Sequence, residues 1–243
     1  MKIQRRHVGS LTALLALGAS LGAGCAENES SLFVRGVLKF PEETCEVTAE
    51  ASAPVIFRGT LDVAFSSEYS AALLVGNQMV RRGNAATLRT ETSRVIFESA
   101  DVHTFDSAGN ELAAFSAAAS GFADPATGAE PGYGIAHVVL VDSGTSATVV
   151  GGANAGPVEV LARVIVRGHT LGGEEIATGE FQWPVDVCRG CLVSFPGEAD
   201  DPLQPGRDCS ITDDGPTGVC RPGVDNAVDC RVCVGVNPFC TPP

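Results

Sequence analysis

Apolar and polar residues alternate along much of the chain between residues 32 and 187. In residues 55–65 the odd positions are apolar or glycine, while Arg58, Thr60 and Asp62 occupy the opposite face. Because successive side chains of a β-strand point to opposite faces, this period of two is typical of half-buried strands. The same pattern, or a comparable apolar run, predicts further strands in residues 32–40, 69–80, 94–105, 135–141, 158–167 and 181–187.

Turn-forming residues separate the predicted strands and favour one fold class. Within residues 94–105 the apolar parity changes between Phe97 and Val102, which predicts a bulge. No stretch after residue 24 has the sustained 3.6-residue period of an amphipathic helix. We therefore expect an all-β domain over residues 32–195, an antiparallel two-sheet sandwich of immunoglobulin-like type. The turn signals lie at residues 76–77, 107–110, 124–128, 151–154 and 171–173.

The composition changes at about residue 196. Residues 196–207 are polar and rich in proline and glycine, and the remaining chain carries five cysteines with few core hydrophobes. A segment of this kind cannot bury enough apolar surface to fold unaided. Residues 196–243 are therefore expected to form a small, loop-rich, disulfide-rich module in which disulfides take the place of a core.

The first 24 residues predict an export signal, because a basic start is followed by an uncharged run rich in leucine, alanine and glycine. The run ends in LGAG before Cys25, and small residues before a cysteine resemble the lipobox of bacterial lipoproteins. The resemblance implies cleavage before Cys25, a diacylglyceryl group on its thiol, and residues 25–31 as a lipidated tether. Gly22 stands where that family has a leucine. The alternative is an ordinary cleaved signal that leaves a free thiol.

Cysteine parity supports the lipid interpretation. The chain has nine cysteines, and a lipidated Cys25 leaves eight that can all pair in an oxidising compartment. The main domain holds three of these and the tail holds five, so complete pairing requires at least one bridge between the two parts. The candidate disulfide cysteines are Cys45, Cys188 and Cys191 in the domain and Cys209, Cys220, Cys230, Cys233 and Cys240 in the tail.

Two of the Cys-x-x-Cys pairs allow other chemistry. Cys188–Cys191 and Cys230–Cys233 together have the spacing of a four-thiolate zinc site, but the surrounding cysteines and the exported location favour disulfides. A thioredoxin-like redox role for Cys188 and Cys191 is disfavoured, because such a motif opens a helix and the chain after Cys191 is extended. We expect no metal and no cofactor.

Charge restricts the partners. The formal net charge is −13, and removal of the signal takes away Lys2, Arg5 and Arg6, which leaves the mature chain at −16. A surface this acidic repels phosphate backbones, so no nucleic-acid partner is expected. The same charge is expected to keep a lipid-anchored domain off an anionic membrane surface.

One short segment of the sequence resembles an active-site motif. Apolar residues run into Asp142-Ser143-Gly144-Thr145-Ser146, which resembles the catalytic loop of aspartic proteases. That chemistry needs two carboxylates that share a proton, and the chain has no second copy of the motif, so a protease would have to be a homodimer around Asp142. The simpler interpretation is a hairpin turn between strands at residues 135–141 and 145–150. His103, His137 and His169 are not spaced as a metal pair, and we expect no enzyme.

A wider resemblance covers most of the mature chain. It rests on the strings YSAALLVGNQ at residues 69–78, RTETSR at 89–94, TLGG at 170–173 and FQWPVDVCRGCLV at 181–193. These strings resemble a group of uncharacterised cysteine-rich exported lipoproteins of Gram-negative bacteria, which brings an envelope location but no catalytic residues.

These observations predict a non-enzymatic lipoprotein, anchored to a membrane through Cys25, with a structural, scaffolding or recognition role toward an envelope protein or polymer. Ala26 after Cys25 resembles enteric sorting signals, and this resemblance implies the outer membrane. The protein could lie on either the periplasmic or the surface face of that membrane. The alternative is binding of carbohydrate or another ligand, which would require exposed aromatic platforms from Trp183, Tyr69 or Tyr133.

Overall fold

A computed structural model of the chain describes residues 31–41, 44–150, 156–195, 209 and 219–241. The predicted signal peptide, Cys25, most of the tether and the turn at 151–154 lie outside these residues, as does most of the polar stretch after residue 195. The strands are β1 Leu32–Leu38, β2 Val55–Ile56, β3 Gly59–Asp62, β4 Tyr69–Asn77, β5 Val95–Phe105, β6 Glu111–Ala123, β7 Gly132–Val141, β8 Val158–Thr170, β9 Glu175–Ala177, β10 Phe181–Cys188, β11 Val193–Ser194 and β12 Val228–Asp229, with two short helices, α1 Ser143–Val149 and α2 Cys230–Cys233.

Ten of these strands form one sheet in the order β2-β1-β4-β7-β6-β5-β8-β10-β3, with β9 paired to β8. All neighbours in it are antiparallel except β3 and β10, which are parallel. The two edge strands, β2 and β3, are separated in sequence only by Phe57 and Arg58. Since two residues connect opposite edges of the sheet, the sheet curves until it nearly closes, as a near-barrel.

The all-β prediction is confirmed, but the expected immunoglobulin-like sandwich is not the arrangement found. Strand β6 joins what would be two separate sheets, because it pairs with β5 along most of its length and with β7 at Ser120. Near this point Gly121 has φ +136°, and a Cβ there would lie 2.1 Å from the Ile135 carbonyl oxygen. Only glycine permits this close approach, so small residues allow β6 to bend and remain in both halves.

Of two local predictions about the strands, one is confirmed and one is wrong. The predicted bulge is confirmed, since both ladders of β5 shift register between Phe97 and Ser99. The single strand predicted over residues 55–65 is wrong. The chain crosses from one sheet edge to the other at this point, so the segment divides into β2 and β3 and leaves Phe57 86% exposed.

The core lies inside the near-barrel and follows the alternation seen in the sequence. Each fully buried valine or leucine there contributes on the order of 1.5–3 kcal/mol through removal of apolar surface from water. On β8 and β10 the inward-facing residues are Val160, Ala162, Val164, Val166, Trp183, Val185 and Val187.

Strand register defines two ends of the near-barrel. At the end called the loop end, Leu32 pairs with Asn77, Asn77 with Gly132, and Val95 with both Ala123 and Thr170. At the opposite end, called the tail end, Tyr69 pairs with Val141 and Asp62 with Cys188. The C-terminal module packs on the tail end.

Candidate functional site

The C-terminal module is attached to the tail end by covalent and backbone contacts. A disulfide joins Cys45 of the main domain to Cys220 of the tail. Next to it, the backbones of Leu61 and Val224 form a β-bridge, and β11 pairs in parallel with β12. The module therefore covers the end at which β3 and β10 finish.

A network of buried and half-buried polar groups lies beneath this attachment. The Tyr69 hydroxyl donates to Asp225 Oδ2 at 3.0 Å and accepts a hydrogen bond from Trp183 Nε1 at 3.3 Å. Asp225 Oδ1 accepts the backbone N–H of Thr60 at 2.9 Å. Burial raises the pKa of the Asp225 carboxyl, and hydrogen bonds from Thr60 and Tyr69 offset only part of that effect. Burial and the nearby Asp225 charge raise the pKa of Tyr69 well above its ordinary value.

Arg221 fixes the same tail segment to β4. Its guanidinium donates to the Ser70 carbonyl oxygen and, at 2.9 Å, to Ser70 Oγ, and its Cζ lies 4.8 Å from the centre of the Phe40 ring. Burial lowers the pKa of Arg221, and burial together with the Arg221 charge lowers the pKa of His137. Tyr69, Asp225 and Arg221 all form hydrogen bonds between the tail segment and the main domain, so their arrangement serves attachment of the module.

A second feature of the tail end is the loop from Cys188 to Cys191, which follows β10. These two cysteines form a disulfide with each other. Asp62, fully buried at the end of β3, accepts the backbone N–H groups of Gly190 at 2.7 Å and Leu192 at 2.9 Å. The two sulfur atoms and a carboxylate oxygen of Asp62 all lie within 4.8 Å of one another.

The cysteine pairing agrees with the prediction of disulfides, and Cys45–Cys220 is a bridge of the kind that cysteine parity required. The four cysteines of the zinc alternative are distributed over three different disulfides and therefore do not share one site. The pairs are Cys45–Cys220, Cys188–Cys191, Cys209–Cys230 and Cys233–Cys240.

The loop end is built around the segment between β4 and β5. Asn77 is fully buried and donates through Nδ2 to the carbonyl oxygens of Ser93 and Ala123. Glu91 accepts backbone N–H groups from Gly83 at 2.8 Å and Ser93 at 2.7 Å. Partial burial raises the pKa of the Glu91 carboxyl, but the backbone hydrogen bonds lower it by more. The pKa of Glu91 therefore lies below its ordinary value.

Residues 78–90, called the arginine loop, carry an unusual mixture of side chains for this acidic chain. Arg81, Arg82 and Arg89 lie in it and no aspartate or glutamate does. Val80 is 76% exposed and Leu88 is 92% exposed. Sequence reasoning missed this loop, although its local charge of +3 within a chain of net charge −13 was a signal that could have found it.

Asp142 does not occupy a hairpin turn, so that interpretation is wrong. It caps α1, and its carboxylate accepts the backbone N–H groups of Gly144 at 3.2 Å and Thr145 at 3.1 Å. Burial raises the pKa of Asp142, but the bonds from Thr145 and Gly144 outweigh it and leave the pKa lowered. Aspartate is a favoured helix N-cap because its oxygens satisfy the free N–H groups of the first turn, which accounts for an aspartate at this position.

The other candidate residues are not brought together. His103 lies 2.6 Å from Glu111 and His169 lies 3.0 Å from Glu98, each on a different part of the sheet surface. Trp183 and Tyr69 are buried and cannot serve as exposed sugar platforms. Four surface crevices of 250–420 Å³ have no aromatic ring in their lining.

Comparison with family models, curated proteins and solved structures finds no match to this chain. The resemblance to cysteine-rich lipoproteins therefore stays a prediction. Several disulfides indicate an oxidising compartment, extracellular or periplasmic. Among the residues that the structure describes, no helix has the length and apolar character needed to cross a membrane.

Proposed function

We propose that this chain is an envelope lipoprotein, anchored to the outer membrane through Cys25, that acts in structure, scaffolding or recognition and not in catalysis. The lipobox-like sequence, the odd cysteine number and the disulfides support the anchor and the compartment. The helix-capping role of Asp142 counts against the protease alternative, and the burial of Trp183 and Tyr69 leaves only the half-buried Tyr133 for the sugar-binding alternative.

The observation that carries this proposal is the place where the tether meets the domain. Strand β1 starts at Leu32, at the loop end, and the Ser31 carbonyl oxygen accepts the N–H of Gln78 at 2.8 Å. The tether therefore leaves the domain beside the first residue of the arginine loop. The six residue steps from Cys25 to Ser31 span at most about 20 Å even when fully extended. A lipidated Cys25 accordingly holds the loop end close to the bilayer.

The composition of the arginine loop suits that position. Exposed Val80 and Leu88 can enter the boundary between headgroups and acyl chains, where apolar side chains are favoured. Arginines near an anionic membrane surface contribute about 1 kcal/mol each. The net charge of the mature chain led us to expect repulsion, but the arginine loop has the opposite sign, although the tether itself carries Glu27 and Glu29. With the loop end at the membrane, the tail end faces away and is available to an envelope partner.

The anchor is tested by comparing the wild-type chain with Cys25→Ser in cells. We expect acyl label on the wild-type protein and its recovery in the outer-membrane fraction, whereas Cys25→Ser should be unlabelled and recovered in the soluble fraction. If both forms stay unlabelled and soluble, the proposal fails.

The orientation is tested separately by amide hydrogen exchange. The lipidated protein in phosphatidylglycerol-containing vesicles is compared with unlipidated Cys25→Ser in solution. We expect slower exchange in residues 78–90 on vesicles, and loss of that protection in the double variant Val80→Ser, Leu88→Ser. Val236→Ser is the matched control, because Val236 is 88% exposed in the C-terminal module and should have no effect. Protection at the module instead of the arginine loop would reverse the orientation.

A further inference from the structure

The loop from Cys188 to Cys191 holds a disulfide between one buried and one exposed cysteine. Cys188 ends β10 and is 3% exposed, whereas Cys191 is exposed. The Asp62 carboxylate lies within 4.8 Å of both sulfur atoms and is itself fully buried. This arrangement is independent of the lipid anchor and of the arginine loop.

This disulfide adds little to the restraint of the chain. It connects residues only three apart in sequence, whereas Cys45–Cys220 connects residues 175 apart. The entropy that a bridge removes from the unfolded chain grows with the length of the loop that it closes. Stabilisation of the fold is therefore a weak reason for this bridge to be present.

The loop around the disulfide keeps its shape through other contacts. Asp62 holds the N–H groups of Gly190 and Leu192, and the Cys188 carbonyl oxygen accepts the N–H of Val63 at 2.8 Å. A Cβ on Gly190 would lie 2.4 Å from the Phe239 ring, so that ring packs directly on the loop backbone. Because none of these contacts involves sulfur, the two thiols of the reduced form would stay close together and ready to pair again.

We propose that Cys188 and Cys191 form a thiol–disulfide exchange site for a dithiol partner in the envelope. A thiolate of the partner attacks Sγ of Cys191, the exposed cysteine of the pair, and the Cys188–Cys191 bond breaks as its electron pair passes to Cys188 Sγ, which takes up a proton. The second partner thiol loses its proton and attacks the partner sulfur of this mixed disulfide, and Cys191 leaves as a thiolate that is protonated. The partner dithiol is oxidised to a disulfide while this chain gains two electrons and two protons.

Asp62 is the positioning residue of the site. It holds the loop in place, and its distance from Cys188 allows a proton to pass through one water molecule when Cys188 attacks in the reverse direction. The site does not depend on a helix, since the chain after Cys191 continues into β11. The other charged groups around it are Arg189 in the loop, the ion pair between Arg58, which precedes β3, and Asp186 of β10, and Asp225 on the tail turn that bonds to β3.

The first test is reduction of the full mature protein by dithiothreitol, followed by alkylation and mass spectrometry of each cysteine. We expect Cys188 and Cys191 to become alkylated at least tenfold faster than Cys45 and Cys220. That pair is the matched control, because Cys45 is also exposed but no carboxylate group of this kind lies beside it among the described residues. Equal alkylation rates for the two pairs would mean that exposure alone determines how fast a disulfide is reduced, and this result would overturn the proposal.

The second test follows the rate at which glutathione disulfide reoxidises the reduced pair, as a function of pH. Asp62→Asn should change the shape of the pH profile and slow reoxidation severalfold, whereas Asp186→Asn, on the neighbouring strand β10, should leave the profile unchanged. An unaltered profile in Asp62→Asn refutes the proton role. If Asp62→Asn fails to fold, the alkylation rate of Cys188 in the reduced wild-type protein is measured against pH instead. A pH profile identical to that of an isolated cysteine thiol would contradict a role for Asp62.

Discussion

The two ends of the near-barrel are held by different kinds of contact. At the tail end, a disulfide joins Cys45 to Cys220, and buried Tyr69 together with half-buried Asp225 and Arg221 connects parts of the chain that are far apart in sequence. At the loop end, residues 78–90 are almost entirely exposed. The backbone N–H groups of Arg82 and Gly83 in this loop donate hydrogen bonds to the Glu91 carboxylate.

This difference teaches where the chain uses its side chains for stability and where it leaves them free. Buried polar groups are costly unless they are fully hydrogen-bonded, so the tail end is committed to one arrangement. Exposed loops carry little of the free energy of unfolding and are the usual place for contacts with partners. The contrast therefore predicts large losses of stability at the tail end and small ones in the arginine loop.

The largest effect is expected from removal of the bridge between the module and the main domain. Cys45→Ser with Cys220→Ser opens a loop of 175 residues, which by the chain-entropy relation costs roughly 5 kcal/mol of the free energy of unfolding. Urea unfolding of the mature chain, with Cys25→Ser to avoid detergent, measures the loss.

The matched control for this bridge is Cys188→Ser with Cys191→Ser, which opens a loop of three residues and should cost about 2 kcal/mol or less. If both pairs cost the same, long-range closure is not what holds the tail end, and the comparison between the ends loses its main support.

An intermediate effect is expected from Tyr69→Phe. The change preserves the ring but leaves Asp225 Oδ2 and Trp183 Nε1 without the hydroxyl that joins them. A buried polar group left without its partner costs about 1–3 kcal/mol. Chemical denaturation should show a loss in that range, whereas Tyr133→Phe, on a ring that is only partly buried, should stay within about 0.5 kcal/mol of the wild-type chain.

The parts of this fold that follow from local sequence were predictable. The burial pattern of β8 and β10 repeats the alternation of residues 158–167 and 181–187, and the parity change after Phe97 corresponds to a real shift in register. These features depend on neighbouring residues and on a period of two. Cysteine parity likewise requires a bridge between domain and tail.

The parts that depend on contacts distant in sequence were not predictable. The alternation in residues 55–65 cannot show that Phe57 lies between opposite sheet edges, nor can the small residues of β6 show that one strand joins both halves. Asp142 fits a turn and a helix cap equally well by sequence alone. Asp62 was assigned only to the polar face of a strand, and its position beside Cys188 and Cys191 required the parallel pairing of β3 with β10.

The two ends should also respond to pH with opposite sign. The pKa of Glu91 is lowered in the folded state, so its contribution is present above its unfolded pKa and is lost as the pH falls through the lower folded value. The pKa of Asp225 is raised, so its contribution is complete below its unfolded pKa and declines as the pH rises through the higher folded value.

The smallest effect is therefore a local one at the loop end, measured by hydrogen-exchange protection factors between pH 7 and the acid side of the carboxyl range. Acidification should lower the protection of the Gly83 and Ser93 N–H groups, which donate to Glu91, and should leave the Thr60 N–H, which donates to Asp225, at least as protected. Glu91→Gln should lower Gly83 protection at neutral pH and remove its acid dependence. Parallel loss at both ends would mean that acid unfolds the whole near-barrel at once, and the ends would then not differ as described.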